Sequence, residues 1–408
     1  MTNVPGAEKN RLVTRDVNRA RVLRELTTLG TTSRAEIARR TGLSPSTVSA
    51  IVSSLQRDGL VTEQAGVDWG PGPRGGRPAS GIALHRSAGV AVGVDFGKRH
   101  LAVAVCDLGH EVLAETWQEM DEDYPADHGL KSARELIAAA LSEAHATSKS
   151  ALGVGIGLPG PVHAASGTLG SSTILPGWTG VRLLDVERHF ELPVYIDNDA
   201  NLGARAESLW GAGRRVDSFA FLKVSTGIGS GLIANGQVIA GAGGTAGEIG
   251  HIAVQEDGDI CRCGSRGCLE TVASSAALTR MLERALGETL DTDEVIRRAR
   301  DGDLACARAL ADAGRYIGAA TATLCNLFNP QRIAVGGSLG AAGDLLLNPM
   351  RESLELRAIP SAAADADIVQ AELGERAELL GALALVLDRA SELAGQGTNQ
   401  ARGGLDAR

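Results

Sequence analysis

The chain has 408 residues, 44% of them hydrophobic, enough apolar material for two or three domains, and its 3% aromatic content argues against stacking platforms. The net charge of −9 is unevenly spread: residues 1–86 carry 13 Lys and Arg against 7 Asp and Glu, or +6, while residues 87–408 carry 27 against 42, or −15. A basic head on an acidic body points to a polyanion met by the head alone, and with no run of about 18 apolar residues and no signal-like N-terminus the expected location is the cytoplasm, with no membrane partner.

In residues 17–29, Val22, Leu23, Leu26 and Leu29 recur at helical spacing. Ser33 followed by Glu36 has the pattern of a capping box for a second helix that ends near Thr41 and Gly42. Ser44 is placed to cap a third helix with Pro45 at its first position, where the missing amide proton is not needed, and Gly59 is a natural stop. In that helix Val48, Ile51, Val52 and Leu55 form a stripe for burial, leaving Ser46, Thr47, Ser49, Ala50 and Ser53 on the open face. Two helices around a tight turn, the second opening on small hydroxyl residues, is the layout of a helix-turn-helix reader, and small side chains let such a helix sit deep in a major groove. The candidate DNA contacts are therefore Ser44, Ser46, Thr47, Ser49, Ala50 and Ser53. Strand-like LVTE and GIAL flank a Gly- and Pro-rich loop that reads as a wing, whose Arg74 and Arg77 are candidates for a minor groove. The alternatives are a three-helix module for protein contacts and, for the RGGRP string, a plain linker.

The body opens with GVAVGVDFG, HLAVAVCDL and EVLAETW, three successive strands. A helix at about 131–146, the strand ALGVGIGLPGPV, and PVYIDNDANLGARAESLWG, passing from strand to helix, follow. SFAFLKVSTGIGSGLIANGQVIAG repeats the strand, glycine turn, strand pattern; helices at about 273–286 and 304–328 alternate with strands RIAVGG and ADIVQAEL, and a last helix covers about 376–393. This is α/β architecture in two lobes with a cleft between them. The expected division is a winged helix-turn-helix at 12–86, a first lobe at 87–199 completed by the helix at 376–393, a second lobe at 200–375, and a disordered tail at 394–408.

Between Gly247 and Glu270 the chain places one histidine, three close cysteines and two glutamates in one short loop. Cys261, Cys263 and Cys268, with His251 ten residues upstream, can close a tetrahedral site around one structural Zn2+ per chain. Free or redox-active cysteines are the alternative. A metal-bound imidazole presents its second nitrogen to an outer acceptor, so His251 is placed to hold the metal on one edge and a small hydroxyl-rich ligand on the other, and Glu248 and Glu270 need not be metal ligands.

VSTGIGSGLIANGQVIAGAGGTAGEIGH at 224–251, followed by CRCGSRGCLE, resembles the signature of the ROK family of repressors and sugar kinases, and the head in front makes the chain similar to the family's repressor branch. The resemblance covers about residues 12–395 and implies an actin-like, ribonuclease-H-like body of two α/β lobes and dimers or tetramers. It implies zinc on His251, Cys261, Cys263 and Cys268, and a sugar or sugar phosphate on Asn198, Asp199, Glu248, His251 and Glu270. Asp199 matches the base that takes the sugar hydroxyl proton in the family's kinases; a helix N-cap is the alternative reading of it.

Kinases of the family carry DxGGTK in a first phosphate loop, where this chain has Asp95, Phe96, Gly97, Lys98, Arg99 and His100. Long cations replace the second glycine and the threonine and obstruct the approach of a phosphate to bare backbone. The second loop keeps Gly227, Gly229 and Gly231, while Gly336 and Gly337 resemble an adenosine-side loop or serve a strand-to-helix turn. Asp95, Gly97, Gly227, Gly229, Gly336 and Gly337 are therefore read as vestigial nucleotide loops with no catalytic residue in use. The resulting expectation is a sugar-responsive repressor on a palindromic operator; the alternative is an ATP-dependent sugar kinase with a DNA-binding head.

Overall fold

The computed structural model describes residues 18–19, 21–23, 25–26, 29–57, 59–64, 81–85, 88–160, 162–163, 168–169 and 175–400. The expected wing residues Arg74 and Arg77 and the last eight residues of the expected tail lie outside them.

In the head, residues 18, 19, 21–23, 25, 26 and 29 are helical. Helix α1 (Arg34–Thr41) starts at Ser33, whose side chain accepts from the Glu36 amide, and stops at Gly42 in the left-handed conformation (φ 65°). The carboxylate of Glu36 bonds Arg39 and Arg40 rather than the Ser33 amide, so one half of the capping box is made elsewhere. Helix α2 (Pro45–Arg57) is capped by Ser44, whose Oγ accepts from the Thr47 amide at 3.1 Å. Val48, Ile51, Val52 and Leu55 are buried against Val22, Leu26 and Ile37, while Ser44, Ser46, Ser49, Ala50 and Ser53 are exposed and Thr47 is half-buried. Strands β1 (Val61–Gln64) and β2 (Gly81–Leu84) pair antiparallel, and Thr32 bridges to Ile82.

The first lobe is a five-stranded sheet of order β5-β4-β3-β6-β9, formed by β3 (Val90–Phe96), β4 (His100–Asp107), β5 (Val112–Glu119), β6 (Ala151–Leu158) and β9 (Val194–Asn198). A two-stranded hairpin, β7 (Val162–His163) and β8 (Thr168–Leu169), stands beside it. The second lobe repeats the plan in β10 (Ser218–Val224), β11 (Ile228–Ala234), β12 (Gln237–Val238), β13 (Arg332–Gly336) and β14 (Asp367–Gln370), in order β12-β11-β10-β13-β14. In both sheets the first three strands are antiparallel and the last two join parallel, so the body is one unit used twice.

Helix α3 (Ala126–Glu143) starts five residues before the expected 131, because Gly129 is a close-packing position and not a break: a Cβ there would lie 2.7 Å from Trp178 and Tyr124. Helices α4 (Leu183–Phe190) and α5 (Asp199–Trp210) flank β9. In the second lobe the helix expected at about 273–286 is α7 (Ser275–Leu286), preceded by a short α6 (Leu269–Ala273); the two are separate because Ser274 turns to an extended conformation and caps α7 through the Ala277 amide. Helix α8 (Thr292–Arg300), unassigned in the sequence reading, follows, and α9 (Leu304–Phe328) packs on α10 (Asp344–Arg357), where Gly314 and Gly318 bring the backbones together. Helix α11 (Pro360–Asp365) leads into β14.

Helix α12 (Ala377–Gln400) runs seven residues past 393, so helix continues through the first half of the segment expected to be disordered. Its first part lies against β3, β6 and α5, clamped by glycines: a Cβ on Gly155 would stand 2.0 Å from the Ala382 carbonyl oxygen, and one on Gly381 2.0 Å from that of Leu202. Both α5 and α12 therefore sit between the sheets. No helix among the described residues is long and apolar enough to cross a membrane.

Candidate functional site

The cleft between the lobes has a volume of about 900 Å³. Its walls include Asn198 and Asp199 where β9 passes into α5, the turn between β10 and β11, and the loop before α6. This arrangement gathers Asn198, Asp199, Glu248, His251 and Glu270 around one space.

Each side chain has a distinct partner set. The N-cap of α5 is Asn198, not Asp199: its Oδ1 accepts from the amides of Ala200 (2.9 Å) and Asn201 (3.3 Å), and its Nδ2 donates to the Gly160 carbonyl. Asp199, one residue into the helix, accepts from the Ala200 amide at 2.8 Å through Oδ1 and from Lys223 Nζ at 2.9 Å through Oδ2. Burial pushes the Glu248 carboxyl above its ordinary range, reinforced by the charges of Asp199 and Glu270 and opposed by His251. A carboxyl with such a proton affinity in a cleft suits hydrogen bonding to hydroxyls in either role.

On the adjoining wall His251, Cys261, Cys263 and Cys268 bring their ligand atoms within 4.8 Å of one another. A tetrahedral zinc with Zn–S bonds of about 2.3 Å separates its sulfurs by about 3.7–3.8 Å. The Cys263 and Cys268 sulfurs stand 3.7 Å apart, and Cys261 Sγ lies 3.7 Å from His251 Nδ1, so donor set and spacing fit a metal ion of that type. Nδ1 faces the sulfurs while Nε2 lies 3.9 Å from Glu248 Oε2. Glu270 Oε1 approaches Cys261 Sγ at 3.1 Å and Arg262 Nε at 3.5 Å, joining the cluster to the polar cleft.

The segment from Asp95 to His100, expected to be a vestigial phosphate loop, is filled from within. Lys98 and Arg99 both turn to Glu122, Arg99 at 2.6 Å, and hold its carboxyl down at about 2. His100 packs on this backbone: its ring lies 2.0 Å from where a Gly97 Cβ would be, its carbonyl accepts from the Gly97 amide at 3.0 Å, and its Nε2 is 2.8 Å from Asp95 Oδ2. Burial alone would lower the His100 imidazole, but the hydrogen bond and charge of Asp95 outweigh it and raise it above its ordinary value. Gly97, Gly227 and Gly229 line the cleft, whereas Asp95 is buried beneath it. Gly336 and Gly337 are not among the lining residues; a Cβ on the first would strike the Phe221 ring, and the second has φ +75° against the Val224 backbone, so both have packing reasons to be glycine.

Two charged residues absent from the sequence reading complete the site. Lys223 lies 2.9 Å from Asp199 and 3.0 Å from Glu378, in the first turn of α12. Burial opposes its charge, but Asp199, Glu378 and Asp95 together raise its affinity for the proton, so it is a cation at neutral pH. A lysine inside the apolar strand SFAFLKV was the available signal for it.

Head, body and cleft define a MarR-like winged helix joined to a sugar-kinase-like α/β body. The MarR family profile matches residues 14–68 and the ROK family profile matches residues 91–389. The chain belongs to the ROK family. It is 30% identical over 392 residues to the xylose repressor of Caldicellulosiruptor bescii, covering 93% of this chain and 97% of that one. The crystal structure of a ROK family transcriptional regulator, a homologue of the Escherichia coli MLC protein, aligns with TM-score 0.78 and 27% identity over 93% of this chain and 98% of that chain. A ROK family glucokinase from Streptomyces griseus, in complex with glucose and AMPPNP, aligns with TM-score 0.63 and 31% identity over 98% of its length but only 72% of this chain.

Proposed function

We propose that the protein is a sugar-responsive transcriptional repressor that binds a palindromic operator as a dimer or tetramer and senses its sugar without phosphorylating it. The observation that carries this reading is the state of the cleft: five polar residues suited to hydroxyls line it, while the groups phosphoryl transfer would need are engaged, Asp199 by Lys223 and Gly97 by the His100 ring. The relatives matched along nearly the whole chain, head included, are regulators.

In this reading Asn198, Asp199, Glu248, His251 and Glu270 bind the sugar hydroxyls, and an epimer that leaves one of these buried groups unpaired is rejected. Zn2+ on His251, Cys261, Cys263 and Cys268 would fix the loop that carries Glu248 and Glu270; four protein ligands leave no open position for an activated water. Ligand binding draws the lobes together and changes the spacing of two heads across a dimer, while Ser44, Ser46, Thr47, Ser49, Ala50 and Ser53 face the major groove and Arg74 and Arg77 reach a minor groove.

A coupled assay with ATP and a panel of hexoses, pentoses and amino sugars tests the sensing role. The expected result is no turnover together with a rise in apparent melting temperature from at least one sugar. Turnover of roughly one per second or faster would sink the reading in favour of a kinase with a DNA-binding head.

A further inference from the structure

Lys223 lies on β10 of the second lobe, yet both its carboxylate partners lie on the helices between the lobes, Asp199 on α5 and Glu378 on α12. Glu378 is buried, and so is the stretch of α12 that follows it. Leu379, Leu380, Leu383, Val386 and Leu387 form one apolar cluster with Ala91, Ala102 and Ala104 of the first sheet. Leu60 of the head packs against that cluster and also against the head's own core. It stands just beyond α2, and its amide donates to the Leu55 carbonyl within that helix at 3.0 Å, while its own carbonyl accepts from the His85 amide at 2.9 Å. A continuous path of packed groups therefore runs from the cleft to the helix whose exposed face is assigned to DNA. It consists of Asp199 and Lys223, then Glu378 and the first turns of α12, the apolar cluster these turns form with the first sheet, and Leu60 just beyond α2.

The path is stiff where stiffness matters. Gly93, Gly155 and Gly381 seat the first turns of α12 against backbone of β3, β6 and α5, so this part of the helix moves with those elements or not at all. At its cleft end the contact is an ion pair that divides one ammonium between two carboxylates, an arrangement a ligand can alter. A sugar hydroxyl bound to Asp199 would compete for the oxygen that Lys223 holds and leave the ammonium to Glu378.

We propose that Lys223 and Glu378 are positioning residues that link occupancy of the cleft to the seating of the head, with the apolar cluster of α12 and the first sheet as the lever and Leu60, just beyond the recognition helix, as the head's contact with it. This deepens the repressor reading and rests on it for its biological sense, but the mechanical link is testable without sugar or operator. Coupling of this kind is a shift between two arrangements of packed elements, so loosening one end must show at the other.

The test is hydrogen–deuterium exchange on the full chain, comparing the parent protein with Glu378→Gln and, separately, Leu60→Ala. Glu378→Gln is expected to speed exchange in residues 59–64 and 81–85 of the head by about threefold or more, with α9 of the second lobe unchanged. Leu60→Ala, a change at the half-buried edge of the head, is expected to speed exchange in the first turns of α12. Changes confined to each variant's own surroundings would overturn the proposal, as would a uniform rise that includes α9, which would mean general loosening. A second arm uses D-xylose as probe and a duplex selected by the parent protein from a random pool. If D-xylose changes duplex affinity in the parent, Glu378→Gln should bring the ratio of affinities with and without sugar close to one, and an unchanged ratio counts against the link. Loss of the repressor reading shows separately, as a parent protein that selects no duplex, and the exchange result then decides the link alone.

Discussion

Cys263 differs from the other two cysteines of its cluster in being exposed, so Cys263→Ser removes a sulfur without opening the core. The parent protein should hold about one zinc per chain, and the variant should lose it while the head stays folded, since metal affinity depends on the full ligand set. Elemental analysis after dialysis, with circular dichroism as the control, decides this. His110 makes a second residue-scale prediction. Burial against Trp210, with ring centroids 5.1 Å apart, lowers its imidazole from 6.5 to about 4. The unfolded chain then binds a proton that the folded chain refuses, so stability is lost as pH falls from 6.5 toward 4. His110→Asn, chosen because asparagine tolerates the residue's φ of 66°, should flatten that slope, by on the order of 3 kcal/mol across the range. Urea unfolding at several pH values measures it, and an unchanged slope would show that other groups carry the acid sensitivity. Of the site residues, those with a local signature were legible in sequence: the CxCxxxxC spacing with His251 upstream needs no fold to be noticed. Lys223 and Glu378 lie 155 positions apart and meet only because the fold brings the first turn of α12, between the lobes, to β10 of the second lobe.

At the scale of elements, the glycines separate two roles that sequence cannot. Gly155→Ala and Gly381→Ala each thrust a methyl to 2.0 Å from a carbonyl oxygen across the α12 contact, and each should destabilise by about 1–3 kcal/mol or more. Gly243→Ala, with nothing within 4 Å of the new methyl, should fall within about 0.5 kcal/mol of the parent. Denaturant midpoints compare the three, and equal effects would contradict the packing account. The strands of both sheets were legible because runs such as GVAVGVDF and SFAFLKV are buried on both faces and bounded by turn residues. Helix ends were less so. The helix expected from about 131 begins at Ala126, with Gly129 a packing contact inside it, and Ser274, inside the helix expected at about 273–286, is its cap.

For the whole molecule, the charge of +6 on residues 1–86 against −15 on residues 87–408 makes DNA binding by the head strongly salt-dependent. Arg77→Ala should weaken operator binding and lower the slope of log affinity against log salt by about one, as the loss of one phosphate contact requires. Gel-shift titrations at several salt concentrations test it, and an unchanged slope would remove Arg77 from the interface. The sequence by itself pointed to the pairing of a DNA-reading head with an α/β body and to the His and Cys cluster, because each is written in local periodicity, capping or spacing, while Asn198 and Asp199 entered the pocket only through the family resemblance. Only the tertiary structure decided that the His100 ring packs at Gly97, that Asn198 and not Asp199 caps α5, and that Lys223 holds Asp199 and Glu378 together. These depend on which side chains a fold brings within a few ångströms, and no spacing along the chain encodes that distance.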